Sequence, residues 1–165
     1  MENLIKVAVD AMGGDYAPSE AIKGAVAAVN EKENVEVLLV GKQDVIEKEL
    51  AVCTYPKERV RVVNAGEVIE TGEPPVAAIR RKKDSSIVVA MKMVKRGEAD
   101  AFVSAGSSGA ILVGGTTIVG RLKGVERAPL APLIPTKTGV SLLIDCGANV
   151  DARPSHLVQF AKMGA

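Results

Sequence analysis

The sequence has very few aromatic residues: Phe, Trp and Tyr together make up 2% of the 165 positions, and Trp is absent. Since 47% of the residues are hydrophobic, the core must be filled with aliphatic side chains of Val, Ile, Leu, Ala and Met. Aliphatic cores of this kind are typical of α/β proteins, in which helices cover both faces of a parallel sheet.

The sequence also has little net charge, no long apolar run and no metal-ligand pattern, and these absences exclude several classes of function. The formal net charge is only +1, which argues against a general nucleic-acid binder, because neutralising phosphates requires a clustered basic excess. No apolar run approaches the ~20 residues that span a bilayer. The two cysteines, Cys53 and Cys146, show no metal-ligand spacing, and the acidic residues form no ligand cluster. We expect reduced thiols in a cytoplasmic protein, with no metal and no other cofactor.

What is present is an alternation of short apolar runs and segments with apolar residues at helical spacing. Strands are predicted at 4–9, 35–40, 59–63, near 101 and at 140–145. Helices are predicted from 19 onward and at 44–52, 76–82, 85–96, 111–120 and 154–163. This order predicts an α/β fold with a mostly parallel, doubly wound sheet. Because the last helix is apolar and has no polar tail, we expect residues 1–165 to be the N-terminal portion of a larger α/β enzyme.

Residues 104–110, which we call the serine–glycine loop, lie between a strand and an apolar helical segment. A strand that ends in small residues and opens a helix directs several N–H groups and the positive end of the helix dipole at one point. Its serines Ser104, Ser107 and Ser108 add hydroxyl donors without bulk. With the backbone N–H groups they give five candidate phosphate-binding residues: Ser104, Gly106, Ser107, Ser108 and Gly109. The pattern predicts a site for phosphate or a similar anion. The alternative is a tight turn whose small residues serve only packing.

Two further loops also follow predicted strands, at 10–18 and 145–149. In open α/β sheets ligands bind beyond the carboxyl ends of the strands, so we expect all three loops to line one cleft. The candidate binding residues of these two loops are Asp10, Gly13, Gly14, Asp15, Asp145 and Asn149. For the aspartates, helix capping or ordinary loop hydrogen bonding is an equally open interpretation, and for the two glycines a purely conformational role is open as well.

The basic run 80–83 also has two open interpretations. One is a patch that docks an acidic partner protein, and the other is a solvated helix face. The single histidine, His156, stands early in the last predicted helix. We expect it to be a surface or capping residue rather than a catalytic base.

Four motifs together carry a family resemblance. They are residues 10–15 with Ala17-Pro18, residues 80–86, residues 104–106 with Gly109-Ala110, and residues 145–151. In this order they resemble the bacterial acyl-acyl-carrier-protein:phosphate acyltransferase family of phospholipid synthesis. The chain has Ser107-Ser108 where the family usually has Asn-Thr, which keeps small hydrogen-bonding groups. It has Gly72 where the family usually has Asp, which removes a carboxylate.

The resemblance implies a Rossmann-like, three-layer α/β/α fold, similar to the isocitrate and isopropylmalate dehydrogenases and the phosphotransacetylases. It implies transfer of a fatty acyl group from acyl carrier protein to inorganic phosphate, giving acyl phosphate. It also implies a homodimer at the inner face of the cytoplasmic membrane, where a downstream glycerol-phosphate acyltransferase is a possible partner.

On this hypothesis the serine–glycine loop holds phosphate, and Lys82 or Lys137 supplies positive charge. Asn149 polarises the carbonyl or orients phosphate, and Arg80 and Arg81 dock the carrier protein. One alternative is phosphotransacetylase-like transfer between coenzyme A and phosphate. Another is a non-catalytic anion-binding or scaffolding domain. A hydroxyacid dehydrogenase is less favoured, because no Gly-x-Gly-x-x-Gly loop follows the first strand.

Overall fold

The computed structural model describes residues 4–165 and separates the chain into two units, one ending at Val119 and the other covering Gly120–Ala165. The strands of the first unit are β1 (Ile5–Asp10), β2 (Val35–Gly41), β3 (Val60–Asn64) and β4 (Ala101–Val103). Its helices are α1 (Ser19–Glu31), α2 (Gln43–Leu50), α3 (Pro75–Arg81), α4 (Ser86–Lys95) and α5 (Ser108–Gly114). A 3₁₀ turn at Lys57–Arg59 precedes β3, and a π-helical turn at Gly115–Val119 follows α5.

The four strands form one parallel sheet in the order β3-β2-β1-β4. Alternate residues of β2 point to opposite faces. Val37 and Leu39 pack against α1 and α2, while Leu38 and Val40 pack with α4. Because helices cover both faces, the sequence of β2 is an almost continuous aliphatic run. Its one charged residue, Glu36, is buried and paired with Arg61 of β3 at 2.6 Å.

Local signals in the sequence set where the helices of this unit begin. Pro75 occupies the first position of α3, where its missing N–H costs no hydrogen bond. Ser85 caps α4 by accepting from the Val88 N–H, and Ser107 caps α5 by accepting from the Ala110 N–H. A third apolar cluster then joins α3, α4 and α5 to one another. The serine–glycine loop therefore leaves β4 and enters a helix that packs on α3 and α4.

The second unit contains β5 (Leu133–Thr136), β6 (Gly139–Leu142) and α6 (Pro154–Gly164). The two strands form an antiparallel hairpin in which Thr136 pairs with Gly139. Helix α6 begins with Pro154, and the His156 Nδ1 accepts a hydrogen bond from the Arg153 N–H at 3.1 Å.

The parallel α/β sheet predicted from the sequence is confirmed, and its four strands begin and end close to the predicted residues. The strand predicted at 140–145 is wrong in length and in partner. It ends at Leu142 and pairs antiparallel with β5, a strand that the pattern did not indicate. The helix predicted at 111–120 begins earlier, at Ser108, and changes to a π-helical turn after Gly114.

Candidate functional site

The loops after β1 and β4 meet through Asp10 and Ser104. These strands are parallel neighbours, with Val9 opposite Val103, so the chain leaves both at the same edge of the sheet. The Ser104 hydroxyl donates to Asp10 Oδ2 at 2.7 Å, although the residues are 94 positions apart. Asp10 is 2% exposed. The structure therefore brings together the first and second of the three predicted loops.

Each member of the Asp10/Ser104 pair also holds its own loop. Asp10 Oδ1 accepts from the Met12 N–H at 3.1 Å. Ser104 Oγ accepts from the Gly106 N–H at 3.0 Å. The Ser104 hydroxyl is thus a donor to one loop and an acceptor within the other.

Glycines allow the two backbones to approach this closely. A Cβ on Gly13 would lie 2.4 Å from Asp10 Oδ2, and 2.9 Å from both the Gly106 nitrogen and Ser104 Oγ. Gly14 has φ +107°, a conformation that favours glycine, and a Cβ there would lie 3.1 Å from the Ala105 Cβ. These two predicted site residues are therefore required by the junction between the loops. Asp15, the next predicted site residue, is exposed.

The remaining residues of the serine–glycine loop have different roles. Ser107 is buried, and its hydroxyl is the α5 cap described above, whereas Ser108 is exposed. Gly109 lies against α3, since a Cβ there would be 2.7 Å from Pro75 Cγ. Within residues 4–165, the structure gives no hydrogen-bond acceptor to the N–H groups of Ser107, Ser108 and Gly109. These donors can hold an anion.

Lys82, a predicted source of positive charge, is held by the loop that precedes α3. Its Nζ donates to the Val68 carbonyl at 2.6 Å and to Glu73 Oε1 at 2.5 Å. The hydrogen bond from Lys82, together with one from the Glu70 N–H, holds the pKa of the Glu73 carboxyl below its ordinary value. The Lys82 charge is therefore partly neutralised by Glu73, a partner that the sequence pattern did not indicate.

The predicted carrier-protein residues Arg80 and Arg81 are both exposed on the last turn of α3. Their neighbour Lys83 turns back and donates to the Ile79 carbonyl at 3.0 Å. Arg80 and Arg81 therefore form an exposed cationic surface at this end of α3.

The third predicted loop lies in the second unit, where Asp145 and Asn149 bond to each other. Asp145 accepts from the Leu130 N–H at 2.6 Å and from the Asn149 N–H at 2.7 Å. Burial alone would raise the pKa of Asp145, but these donors, with the Ala148 N–H and the Asn149 amide, hold it below its ordinary value. The Asn149 amide also donates to the Ala128 carbonyl at 3.1 Å. Lys137, at the tip of the β5/β6 hairpin, is exposed.

His156 is not a surface residue but a buried one, 5% exposed, and its capping role is confirmed. Its Nδ1 accepts from the Arg153 N–H, and its Nε2 lies 3.3 Å from Glu126 Oε2. In the part of the chain that the structure describes, no group of three His, Cys, Asp or Glu side chains is placed to hold a metal ion. No helix among those residues is both long enough and apolar enough to cross a bilayer.

The parallel sheet and the joined loops at its carboxyl edge define an α/β protein with a ligand-binding edge. A phosphotransacetylase from Streptococcus pyogenes is similar over 96% of this chain and 51% of its own, with a TM-score of 0.65 and 17% identity. The EutD phosphotransacetylase from Staphylococcus aureus is similar over the same shares, with a TM-score of 0.62 and 18% identity. The predicted Rossmann-like architecture is confirmed by these matches.

The chain belongs to the fatty acid synthesis protein family, whose model matches residues 5–165. Two relatives named phosphate acyltransferase are similar over 97% of this chain and 48% of their own length. One, from Clostridium novyi, is 51% identical, and the other, from Clostridium beijerinckii, is 52% identical. The resemblance carried by the four motifs is thus confirmed, and the chain spans about half the length of these relatives.

Proposed function

We propose that this chain is the N-terminal portion of an enzyme that transfers a fatty acyl group from acyl carrier protein to inorganic phosphate. The observation that carries the proposal is the 51% identity to a phosphate acyltransferase over 97% of the chain. The two loops joined by Asp10 and Ser104 support it, because they present a rim of small residues at the ligand-binding edge of the sheet.

The proposed reaction needs binding more than activation. A phosphate oxygen attacks the thioester carbonyl carbon, a tetrahedral oxyanion forms, and the C–S bond breaks as the thiolate leaves and is protonated. Phosphate is already a nucleophile near neutral pH, so holding and aiming it lowers the barrier most. The oxyanion needs N–H or amide donors where its charge develops. Neither requirement calls for a histidine base.

In the proposed site the phosphate is held by the Ser108 hydroxyl and by the N–H groups of Ser107, Ser108 and Gly109. The described structure gives these groups no other acceptor. In this unit the proposed source of positive charge is Lys82, which already has Glu73 as a partner. For the second unit, taken by itself, the proposed roles are positive charge from Lys137 and contact with the carbonyl or phosphate from Asn149, whose amide Asp145 holds in place.

The assay for this function uses the full-length protein, a long-chain acyl carrier protein and labelled inorganic phosphate. We expect labelled acyl phosphate and free carrier-protein thiol in equal amounts. Use of acyl coenzyme A in preference to the carrier protein would favour the phosphotransacetylase-like alternative. Binding of phosphate and carrier protein without any product would instead favour the scaffolding alternative.

Arg80 and Arg81 are proposed to dock the acidic carrier protein. Reversing both charges (Arg80→Glu with Arg81→Glu) should raise the KM for acyl carrier protein about tenfold at low salt, because complementary charge speeds the encounter. The effect should shrink as ionic strength rises, since the two exposed side chains are screened. Steady-state rates at several salt concentrations measure both effects.

The matched control reverses two exposed charges on the opposite face of the sheet. These are Lys42, directly before α2, and Lys48, in its last turn, changed as Lys42→Glu with Lys48→Glu. This pair changes the net charge equally, so it separates local docking from overall electrostatics. Equal losses in the two double variants would contradict docking at α3. The KM for phosphate should stay unchanged in both.

The family resemblance further supports a homodimer located in the cytoplasm at the inner face of the membrane. A downstream glycerol-phosphate acyltransferase that consumes acyl phosphate would be a partner there. Sedimentation of the full-length protein with and without vesicles of bacterial lipids tests both parts of this proposal.

A further inference from the structure

We propose that Ser104 is a positioning residue of the anion site rather than a ligand of phosphate. This inference rests on the proposed function, and it assigns the Asp10/Ser104 pair the role of fixing one loop against the other. It changes the role expected for Ser104 from the sequence, where its hydroxyl counts among the donors to the anion.

A serine hydroxyl carries a single proton. Ser104 donates this proton to Asp10 Oδ2 at 2.7 Å, so none remains for a bound phosphate. Its oxygen meanwhile accepts from the Gly106 N–H. A lone pair is all that Ser104 could offer to an anion, and a lone pair repels a negatively charged oxygen. Ser108, which is exposed and does not cap α5, has no such commitment.

The surroundings of the pair fit a fixed junction. Asp10 is buried, and its second oxygen is taken by the Met12 N–H, so the carboxylate is held from both sides. A Cβ on Gly106 would lie 3.2 Å from both Asp10 Oδ2 and Ser104 Oγ, and 3.3 Å from the Gly13 Cα. The two loop backbones therefore enclose the hydrogen bond between them. Movement of Ser104 would move the segment that presents the N–H groups of residues 107–109.

The test measures hydrogen exchange at the Gly106 amide by NMR in the full-length protein, for Ser104→Ala and for Ser108→Ala. Ser104→Ala removes the acceptor of Gly106, and we expect that amide to exchange about tenfold faster. Ser108→Ala should leave it unchanged. Titration of the same samples with inorganic phosphate should show weaker binding in both variants. Ser104→Ala loses the positioning of the loop, and Ser108→Ala loses a hydroxyl donor to the phosphate.

The two measurements separate failure of this inference from failure of the proposed function. Unchanged exchange at Gly106 in Ser104→Ala would overturn the positioning role, whatever the activity of the enzyme. Faster exchange with unchanged phosphate binding would also overturn it, because the junction would then not serve the anion site. If the unaltered full-length protein binds no phosphate, the anion site itself is refuted, and with it any role of Ser104 there. Gly13→Ala disrupts the same junction in a second way. Like Ser104→Ala, it should speed hydrogen exchange at the Gly106 amide and weaken phosphate binding.

Discussion

Replacing Gly13 by alanine is expected to destabilise the chain by about 3 kcal/mol, near the upper end for overpacking. The added Cβ would lie 2.4 Å from Asp10 Oδ2 and 2.9 Å from the Gly106 nitrogen. One of these atoms belongs to a short buried side chain and the other to backbone, so neither can move away cheaply. The loops after β1 and β4 must separate, and the KM for phosphate should rise about tenfold or more.

Urea unfolding followed by far-UV circular dichroism measures the stability change, a suitable method for a chain without Trp. The matched control is Gly24→Ala in α1, where a Cβ would meet nothing within 4 Å. This control should stabilise the chain by about 0.5–1 kcal/mol, because alanine favours the helix interior. Equal unfolding midpoints for the two variants would show that the loops tolerate a side chain at Gly13.

Most of the fold could be predicted because its signals are local. Aliphatic runs ended by Gly or a polar residue mark β1 to β4, and Ser85 marks the start of α4. Strand β5 was missed because Pro135 lies inside it, and proline usually argues against a strand. It fits there because a two-stranded hairpin has free edges, where a missing N–H leaves no ladder bond unmade.

The candidate site could be predicted only in part. Parallel strand order places the loops with Asp10 and Ser104 at one edge, but which strands are neighbours depends on the whole sheet. Ser107 shows a second local signal, because a serine before a helical run is a typical helix cap, and capping leaves its N–H group available for the predicted phosphate contact. The pairing of Lys82 with Glu73 depends on the path of an irregular loop, which has no periodic pattern.

Replacing Ser107 and Ser108 together by valine is expected to raise the KM for phosphate about 10- to 100-fold. The change removes the Ser108 hydroxyl and the Ser107 cap that sets the direction of the neighbouring N–H groups. Losing a hydrogen bond to a charged group costs about 1.5–3 kcal/mol, and each 1.4 kcal/mol is about a factor of ten in affinity. Steady-state kinetics with varied phosphate and saturating acyl donor measures the effect.

The control for this double variant is Ser85→Val, which removes a cap of the same type at the start of α4. Both replacements weaken a helix terminus by about 1 kcal/mol, so both should lower thermal stability similarly. Only the serine–glycine loop variant should change the KM for phosphate, because Ser85 is buried beside α3 and α4 rather than on the loop rim. A phosphate dependence that is the same in the double variant and the unaltered enzyme would remove this loop from the site. The anion would then have to be held by groups outside the rim, and the small residues at 104–110 would serve only the close packing of α5 against Pro75.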